Sequence, residues 1–210
     1  MTSSSNDAKP YHHGDLRSGL LKAALELVKE EQNWDFSLRE VARRAGVSHN
    51  APYNHFGDKR QLLAAVATIG FDELRAQILQ VIDDRNKPDT SLVQVAQIYV
   101  SFATGNVALY RLMFGAELAG QDGNRPADVD HAGRQAKSVL AELIREGINA
   151  KIFTLDNKDS EALEMATLAC WSALHGIATL IADAKIETSR PHVELVDGMM
   201  HYFLNGLRSE

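Results

Sequence analysis

Side chains that can form directional hydrogen bonds are concentrated between Ser48 and Lys59. They are Ser48, His49, Asn50, Tyr53, Asn54, His55 and Lys59. An asparagine amide can pair with two atoms of adenine at once in the major groove of duplex DNA. Hydroxyl, imidazole and ammonium groups are suited to phosphate oxygens, and an ammonium at a helix N-terminus gains from the helix field. This stretch therefore has the chemistry of a surface that binds DNA.

The residues just before this cluster predict a short helix. Ser37 and Glu40 have the spacing of a capping box, in which each side chain accepts a hydrogen bond from the other residue's backbone N–H. Phe36 and Val41 take the two positions of a hydrophobic staple, and Gly46 stands where a left-handed residue would end the helix. The buried stripe of this helix would comprise Leu38, Val41, Ala42 and Ala45.

Two more helix starts follow within a few residues. Ser48 is placed to cap a second short helix that ends near Phe56, with Ala51 and Phe56 facing inward. Asp58 is placed to cap a third, which begins at Lys59. A helix, a three-residue turn and a second helix form a motif in which the first helix braces the second against the major groove.

The segment from Ser37 to Leu62 resembles the DNA-binding domain of the TetR family of transcriptional regulators and meets every fixed position of that family's pattern. The resemblance implies groove or base-edge contacts from Arg39, His49, Asn50 and Asn54. It implies contacts to the DNA backbone from Ser37, Ser48, Tyr53, His55 and Lys59. Pro52 departs from the pattern at a usually aliphatic position. We expect it to affect the pitch of this short helix and little else, because a missing N–H matters less there than in mid-helix.

The distribution of charge supports a DNA-binding end on an acidic protein. The chain has 22 basic and 28 acidic residues, for a net charge of −6. Residues 37–60 nevertheless carry five basic and two acidic side chains. Such a layout steers one end of the molecule toward phosphates.

The rest of the chain shows helical periodicity throughout. We expect an all-α protein with a flexible arm (1–13), a three-helix DNA-binding domain (14–70) and a helical ligand-binding and dimerisation domain (71–210). Outside the helix-turn-helix, helices are predicted at Asp15–Gln32, Asp58–Asp84, Thr90–Thr104, Asn106–Glu117, Ala127–Asn149, Asp159–Ala184 and Ser189–Arg208.

The last two of these helices carry stripes that suit close helix packing. One stripe is Ala162, Ala166, Ala169, Ala173, Gly176 and Leu180, and the other is Val193, Val196, Met200, Phe203 and Leu207. Two such helices from each of two subunits would form a four-helix dimer interface, although the same periodicity fits a core within one subunit. The family resemblance favours the homodimer, since TetR proteins dimerise through their last two helices.

A second candidate site surrounds Trp171 and His175, which lie four residues apart on one helix face. With Gly176 they resemble a Trp-x-x-x-His-Gly signature of one C-terminal subclass of the family. An apolar pocket for a small-molecule effector could form where this face meets Tyr99, Phe102, Tyr110, Met113 and Phe114. The alternative is that these aromatic residues and the histidine are only core.

Other chemistry finds little support. Cys170 and His175 diverge by about 140° around a helix, which disfavours a nucleophile–base pair. His12-His13 lacks the further ligands that a metal site needs, and no cofactor motif is present. A single cysteine and a polar N-terminus suggest the cytoplasm, and the apolar run Ala166–Ala182 is short for a membrane span and suits a buried helix.

These observations predict a homodimeric regulator, not an enzyme, that releases a near-palindromic operator when a small molecule binds. An effector-independent DNA-binding dimer is the main alternative. A helical protein-interaction module with a degenerate DNA-binding segment is a third.

Overall fold

The computed structural model describes residues 13–82, 87–120, 122–155 and 159–208. Within these ranges all regular structure is helical, which confirms the predicted all-α fold. The α-helices are α1 (His13–Glu31), α2 (Leu38–Arg44), α3 (Lys59–Val81), α4 (Pro88–Gly105), α5 (Val107–Phe114), α6 (Ala127–Asn149), α7 (Ser160–Ala182) and α8 (His192–Arg208). The predicted arm lies outside the described residues except for His13, and the His12-His13 pair is therefore described only in part.

The N-terminal unit is a small bundle made by α1, α2 and the first turns of α3. Its core contains Leu20 and Leu27 from α1, Val41 from α2 and Leu62 from α3, with Phe36 closing the side between α1 and α2. Apolar residues that recur every three or four positions on each helix make this core possible.

Helix α3 belongs to both halves of the molecule. It is 23 residues long, or about 34 Å, and runs without a break through residue 70, where we placed the domain boundary. Leu62 and Val66 pack in the N-terminal bundle, whereas Leu74 and Ile78 are buried among the later helices. The DNA-binding end and the C-terminal half are therefore joined by one continuous rod.

The C-terminal half packs α4 at the centre of a bundle with α3, α6, α7 and α8 around it. Helix α5 crosses against α3, where a Cβ on Gly70 would lie 2.7 Å from the sulfur of Met113. A Cβ at this position would require the Met113 side chain to shift, and glycine avoids that contact between the two helices. Helix α5 ends at Phe114, three residues earlier than predicted, because Gly115 has an extended backbone with φ −73° and ψ 167°.

Candidate DNA-binding surface and effector cavity

The start of α2 follows the predicted cap in one of its two hydrogen bonds. The hydroxyl of Ser37 accepts from the backbone N–H of Glu40 at 3.2 Å. The Glu40 carboxylate lies 3.8 Å from the guanidinium of Arg43, where the capping box would have placed it on the Ser37 backbone. The Ser37 cap and the ion pair between Glu40 and Arg43 therefore stabilise this end of the helix.

The end of α2 shows why Gly46 stands where it does. Gly46 has a φ of +69°, and its N–H donates to the carbonyl of Arg43 while the N–H of Val47 donates to the carbonyl of Ala42. These two bonds make a Schellman motif, which requires a left-handed residue that glycine adopts without a steric penalty. The predicted sharp reversal is confirmed.

The second helix of the motif, a short helix expected from Ser48 to near Phe56, is not a regular α-helix. The chain instead makes successive turns and a short 3-10 helix at Pro52–Asn54. The N–H of Ala51 bonds to the carbonyl of Ser48, and that of Asn54 to Ala51, each with the shorter three-residue spacing. Pro52 has no N–H with which to close the α-helical turn onto Ser48, which accounts for the tighter winding.

This turned segment still presents the predicted faces. Ala51 and Phe56 are buried, as expected, and Pro52 is buried with them. The exposed candidate DNA-binding residues are Ser37, Arg39, Ser48, His49, Asn50, Tyr53 and Asn54, whereas His55 and Lys59 are half-buried. The Tyr53 side chain is 54% exposed.

Helix α3 begins beside this surface with the cap that the sequence predicted. The Asp58 carboxylate accepts from the N–H of Gln61 at 2.8 Å. Lys59, the first residue of the helix, has its ammonium 5.4 Å from the centre of the Phe36 ring. The cation is thus held at a helix N-terminus, where an anion is favoured.

The structure separates the five cations of residues 37–60 into two groups. Arg44 pairs with Glu26 and Glu30 of α1, and the hydrogen bond that its guanidinium donates to the Glu30 carboxylate raises its pKa. Arg60 donates to the backbone carbonyl of Leu118 at 3.3 Å. Among the described residues Arg39 and Lys59 form no ion pair, and the exposed Arg43 has only its 3.8 Å contact with Glu40.

A cavity of about 230 Å³ lies between α3, α4, α6 and α7. Its apolar lining includes Phe71, Leu74, Ile78, Val95, Tyr99, Phe114, Leu140, Trp171 and Leu174. Its charged lining is Asp130, Arg134 and Lys137 of α6 together with Arg125, which lies two residues before that helix. An apolar enclosure with a few polar groups on one side is typical of small-molecule sites.

His175 is the centre of a polar cluster beside this cavity. The hydroxyls of Tyr99 and Tyr110 lie 3.0 and 2.8 Å from its Nδ1. Burial lowers the pKa of His175 and raises those of Tyr99 and Tyr110. A neutral imidazole protonated on Nε2 suits this geometry, because Nδ1 then accepts from a tyrosine hydroxyl. Trp171 stacks on the imidazole with ring centres 5.5 Å apart.

The structure divides the predicted effector residues into three groups. Tyr99, Phe114 and Trp171 line the cavity. Tyr110 and His175 line a neighbouring cavity, which Phe114 also lines and which reaches Trp34. Phe102 and Met113 line neither of these cavities and are buried core residues, so their assignment to the pocket is wrong.

The sequence interpretation missed the contribution of α6. Asp130, Arg134 and Lys137 share one face of this helix, next to the buried stripe that includes Val129, Ala136 and Leu140. Charged residues beside an apolar stripe are ordinary on amphipathic helices, so the pattern alone gave no reason to select them. Cys170 is buried, which raises the pKa of its thiol to about 12 and leaves it unsuited to nucleophilic chemistry.

The predicted dimer stripes also divide in the structure. Ala166, Val196, Met200 and Leu207 are buried within the protomer, so their assignment to a partner contact is wrong. Ala169, Gly176 and Leu180 are exposed, and Ala173 and Phe203 are half-buried. Val193 of the predicted stripe is also exposed, and so are Met165, Leu168 and Tyr202, which each lie one position before a residue of the predicted stripes.

Helix α7 has an unusual balance of hydropathy and burial. It is apolar and long enough to cross a membrane by length and composition alone, yet only 28% of its most apolar window is buried inside the protomer. Our expectation of a buried helix therefore holds for one face only. A broad apolar surface remains open on the other.

Two family models match the chain. Residues 20–66 match the tetR family of bacterial regulatory proteins, and residues 92–203 match the tetracyclin repressor-like C-terminal domain. The first match covers the helix-turn-helix, and the second covers the part of the cavity lining that lies after α3.

Solved structures share the fold of this chain, and curated proteins share part of its sequence. A protein of unknown function from Rhodococcus sp. RHA1 is 30% identical, with a TM-score of 0.79 over 96% of this chain and 100% of that one. The fatty acid degradation regulator FadR from Bacillus halodurans is 16% identical, with a TM-score of 0.70 over 95% of this chain and 100% of that one. The nucleoid occlusion factor SlmA of Photobacterium profundum is 24% identical over 131 residues, which are 62% of this chain and 67% of that protein.

The fold and the exposed helix-turn-helix define a DNA-binding transcriptional regulator. The chain belongs to the tetR family of bacterial regulatory proteins.

Proposed function

We propose that this protein is a homodimeric, cytoplasmic transcriptional repressor that leaves a near-palindromic operator when a small molecule binds in its C-terminal half. The observation that carries this proposal is the continuity of α3. Its first residue, Lys59, lies at the DNA-binding surface, and its later residues Phe71, Leu74 and Ile78 line the cavity. A change in the cavity therefore acts directly on the helix that carries the DNA-binding end.

Apolar surface on α7 and α8 supports the dimer. Met165, Leu168 and Leu180 of α7 are 57%, 41% and 46% exposed, and Val193 and Tyr202 of α8 are 48% and 79% exposed. Met165, Leu168 and Leu180 lie on one side of α7, and an exposed apolar patch of this kind marks a protein interface. Two copies of α7 and α8 would bury this surface as a four-helix interface, with Gly176 allowing close approach.

The dimer would place two DNA-binding segments on one side of the duplex. They must lie about 34–36 Å apart to enter successive major grooves. In each segment, Asn50 and Asn54 would contact base edges, with Arg39 and His49 at the groove, while Ser37, Ser48, Tyr53, His55 and Lys59 would hold phosphates. The exposed positions of most of these side chains support the assignment.

The aromatic contacts around Phe114 support a route from the cavity to the DNA-binding end. Phe114 contacts Phe71 of α3 and His175 of α7, with ring centres 5.1 and 4.6 Å away. Phe71 lies twelve residues from Lys59, about 18 Å along the helix, so a 10° tilt at Phe71 would move Lys59 by about 3 Å. A shift of that size is enough to spoil the fit of two segments to fixed grooves.

A two-part experiment tests this function. Duplexes that bind the purified protein would be selected from a random pool, and compounds would then be screened for release of the selected duplex. We expect a two-fold symmetric site and at least one releasing compound. For nearly complete switching, that compound must favour the non-binding conformer by about 5.5 kcal/mol. Symmetric binding with no releasing compound would favour the effector-independent dimer, and absence of duplex binding at low salt would reject the proposal.

A further inference from the structure

The chemistry of the cavity lining narrows the class of effector, an inference that rests on the proposed function. The apolar part of the lining is deeply buried: Phe71, Leu74, Val95 and Leu174 are all at most 3% exposed. An apolar ligand body would replace no buried polar group there and would gain the free energy of leaving water. This apolar lining thus favours a ligand with an aliphatic or aromatic chain.

The charged side of the cavity favours an anion. Three cations, Arg125, Arg134 and Lys137, line it against one carboxylate, Asp130, in a protein whose net charge is −6. The excess of positive charge at this place is therefore local. A cationic ligand would meet three like charges at the same helix face, which disfavours it.

The side chains of Lys137 and Arg125 each offer the cavity a hydrogen-bond donor. The Lys137 ammonium is held 5.4 Å from the centre of the Trp171 ring, so it stays at the cavity. Arg125 donates to the carbonyl of Met113 and lies 3.9 Å from Asp130, but its buried Nε–H has no acceptor among the described residues. A buried donor without a partner is costly, and an anionic oxygen would satisfy it.

The geometry points to an effector that is an amphipathic organic acid, with an acyl chain in the apolar part of the cavity and its anionic end at Arg125, Arg134 and Lys137. Two sources share this chemistry. One is a free fatty carboxylate, and the other is an acyl group carried as a thioester on a phosphate-bearing carrier. In both, the anion lies on the α6 side.

Calorimetric titration of the full chain with matched ten-carbon probes tests this assignment. The probes are decanoate, decan-1-ol, decyltrimethylammonium and decanoyl-coenzyme A. We expect decanoate or decanoyl-coenzyme A to bind at least tenfold more tightly than decan-1-ol, with decyltrimethylammonium weakest. Which of the two anions binds more tightly distinguishes the sources. Equal binding of the alcohol, or preference for the ammonium probe, would overturn the proposal.

Two variants locate the site and its charge. Lys137→Met should weaken binding of the anionic probe by about three- to tenfold and leave binding of decan-1-ol unchanged, because it removes a charge while keeping the aliphatic stem. Lys185→Met, at an exposed lysine after α7, is the matched control and should change neither. If Lys137→Met weakened binding of the anionic probe and of decan-1-ol equally, that result would contradict the role of the Lys137 charge.

The second variant fills the cavity. Gly133 lines it within α6, and a Cβ there would lie 3.4 Å from the Phe71 ring, an ordinary contact. Gly133→Leu should keep the fold and weaken binding of all the probes at least tenfold. Unchanged binding of the anionic probe would place the site elsewhere. If a neutral or cationic compound released the DNA, the proposal of an acidic effector would be wrong, but the proposed function would stand. Failure to bind any duplex would reject the proposed function while the titrations kept their meaning.

Discussion

The ring of Phe71 on α3 meets the ring of Phe114 at the end of α5 edge to face, with centres 5.1 Å apart and planes at 81°. This pair joins the rod that carries the DNA-binding end to the wall shared by two cavities. We expect a double-mutant cycle of Phe71→Leu and Phe114→Leu, measured by urea unfolding, to give a coupling of about 0.5–1.5 kcal/mol. Phe71→Leu combined with Phe102→Leu is the control, since no ring contact joins these two among the described aromatic pairs; equal coupling in both cycles would deny the link a special role.

Lys59→Ala should weaken binding to every duplex sequence and lower the slope of log affinity against log salt concentration by about 0.9, the value of one phosphate contact. Fluorescence anisotropy at several salt concentrations measures this slope. Lys185→Ala, an exposed lysine in the C-terminal half, should leave it unchanged. A wild-type slope in Lys59→Ala would remove the phosphate role.

Asn50→Ala and Asn54→Ala should relax sequence preference more than they reduce overall affinity. Each amide that pairs with a base contributes about 1–3 kcal/mol of discrimination. Both residues are exposed, so the free energy of unfolding should change by less than about 0.5 kcal/mol. Competition between the operator and duplexes changed at one position measures the effect, and a uniform loss across sequences would indicate backbone contacts instead.

Gly176→Arg should give a folded monomer that no longer binds the palindromic operator tightly. A Cβ on Gly176 has no atom within 4 Å in the protomer, so the variant has room to fold, while a bulky cation would obstruct close helix approach by a partner. Sedimentation velocity measures the change in mass, and circular dichroism confirms the fold. Gly105→Arg is the matched control at another glycine with open space and should remain dimeric. A dimeric Gly176→Arg protein would move the interface elsewhere.

His175 should make the protein less stable as the pH falls. Burial lowers its pKa in the folded state below 6.5, so the unfolded chain binds more protons in the range between the two pKa values. The free energy of unfolding therefore falls as the pH drops below about 6.5. His175→Gln should show a smaller difference in Tm between pH 7.5 and 5.5, since the other histidines are common to both proteins. An identical difference in the two proteins would mean that His175 does not contribute.

Much of the DNA-binding end followed from local signals. Caps at Ser37 and Asp58 and the left-handed Gly46 depend only on neighbouring residues, and the structure confirms all three. Helix α6 was predicted with its observed limits, because its apolar stripe repeats without interruption. The short helix expected after Ser48 is wound more tightly than an α-helix, for a reason that is also local: Pro52 lacks the N–H that a continuous α-helix needs.

The sequence by itself determined the order of helices, the family and the set of polar groups offered to DNA, because these depend on spacing along one chain. Only the tertiary structure decided which side of α7 and α8 faces inward, since a stripe of apolar residues suits an internal core and a partner equally well. It also decided that Phe102 and Met113 are core and that α6 supplies the charges of the cavity. Those outcomes depend on how helices distant in sequence cross in space, and no local periodicity encodes that crossing.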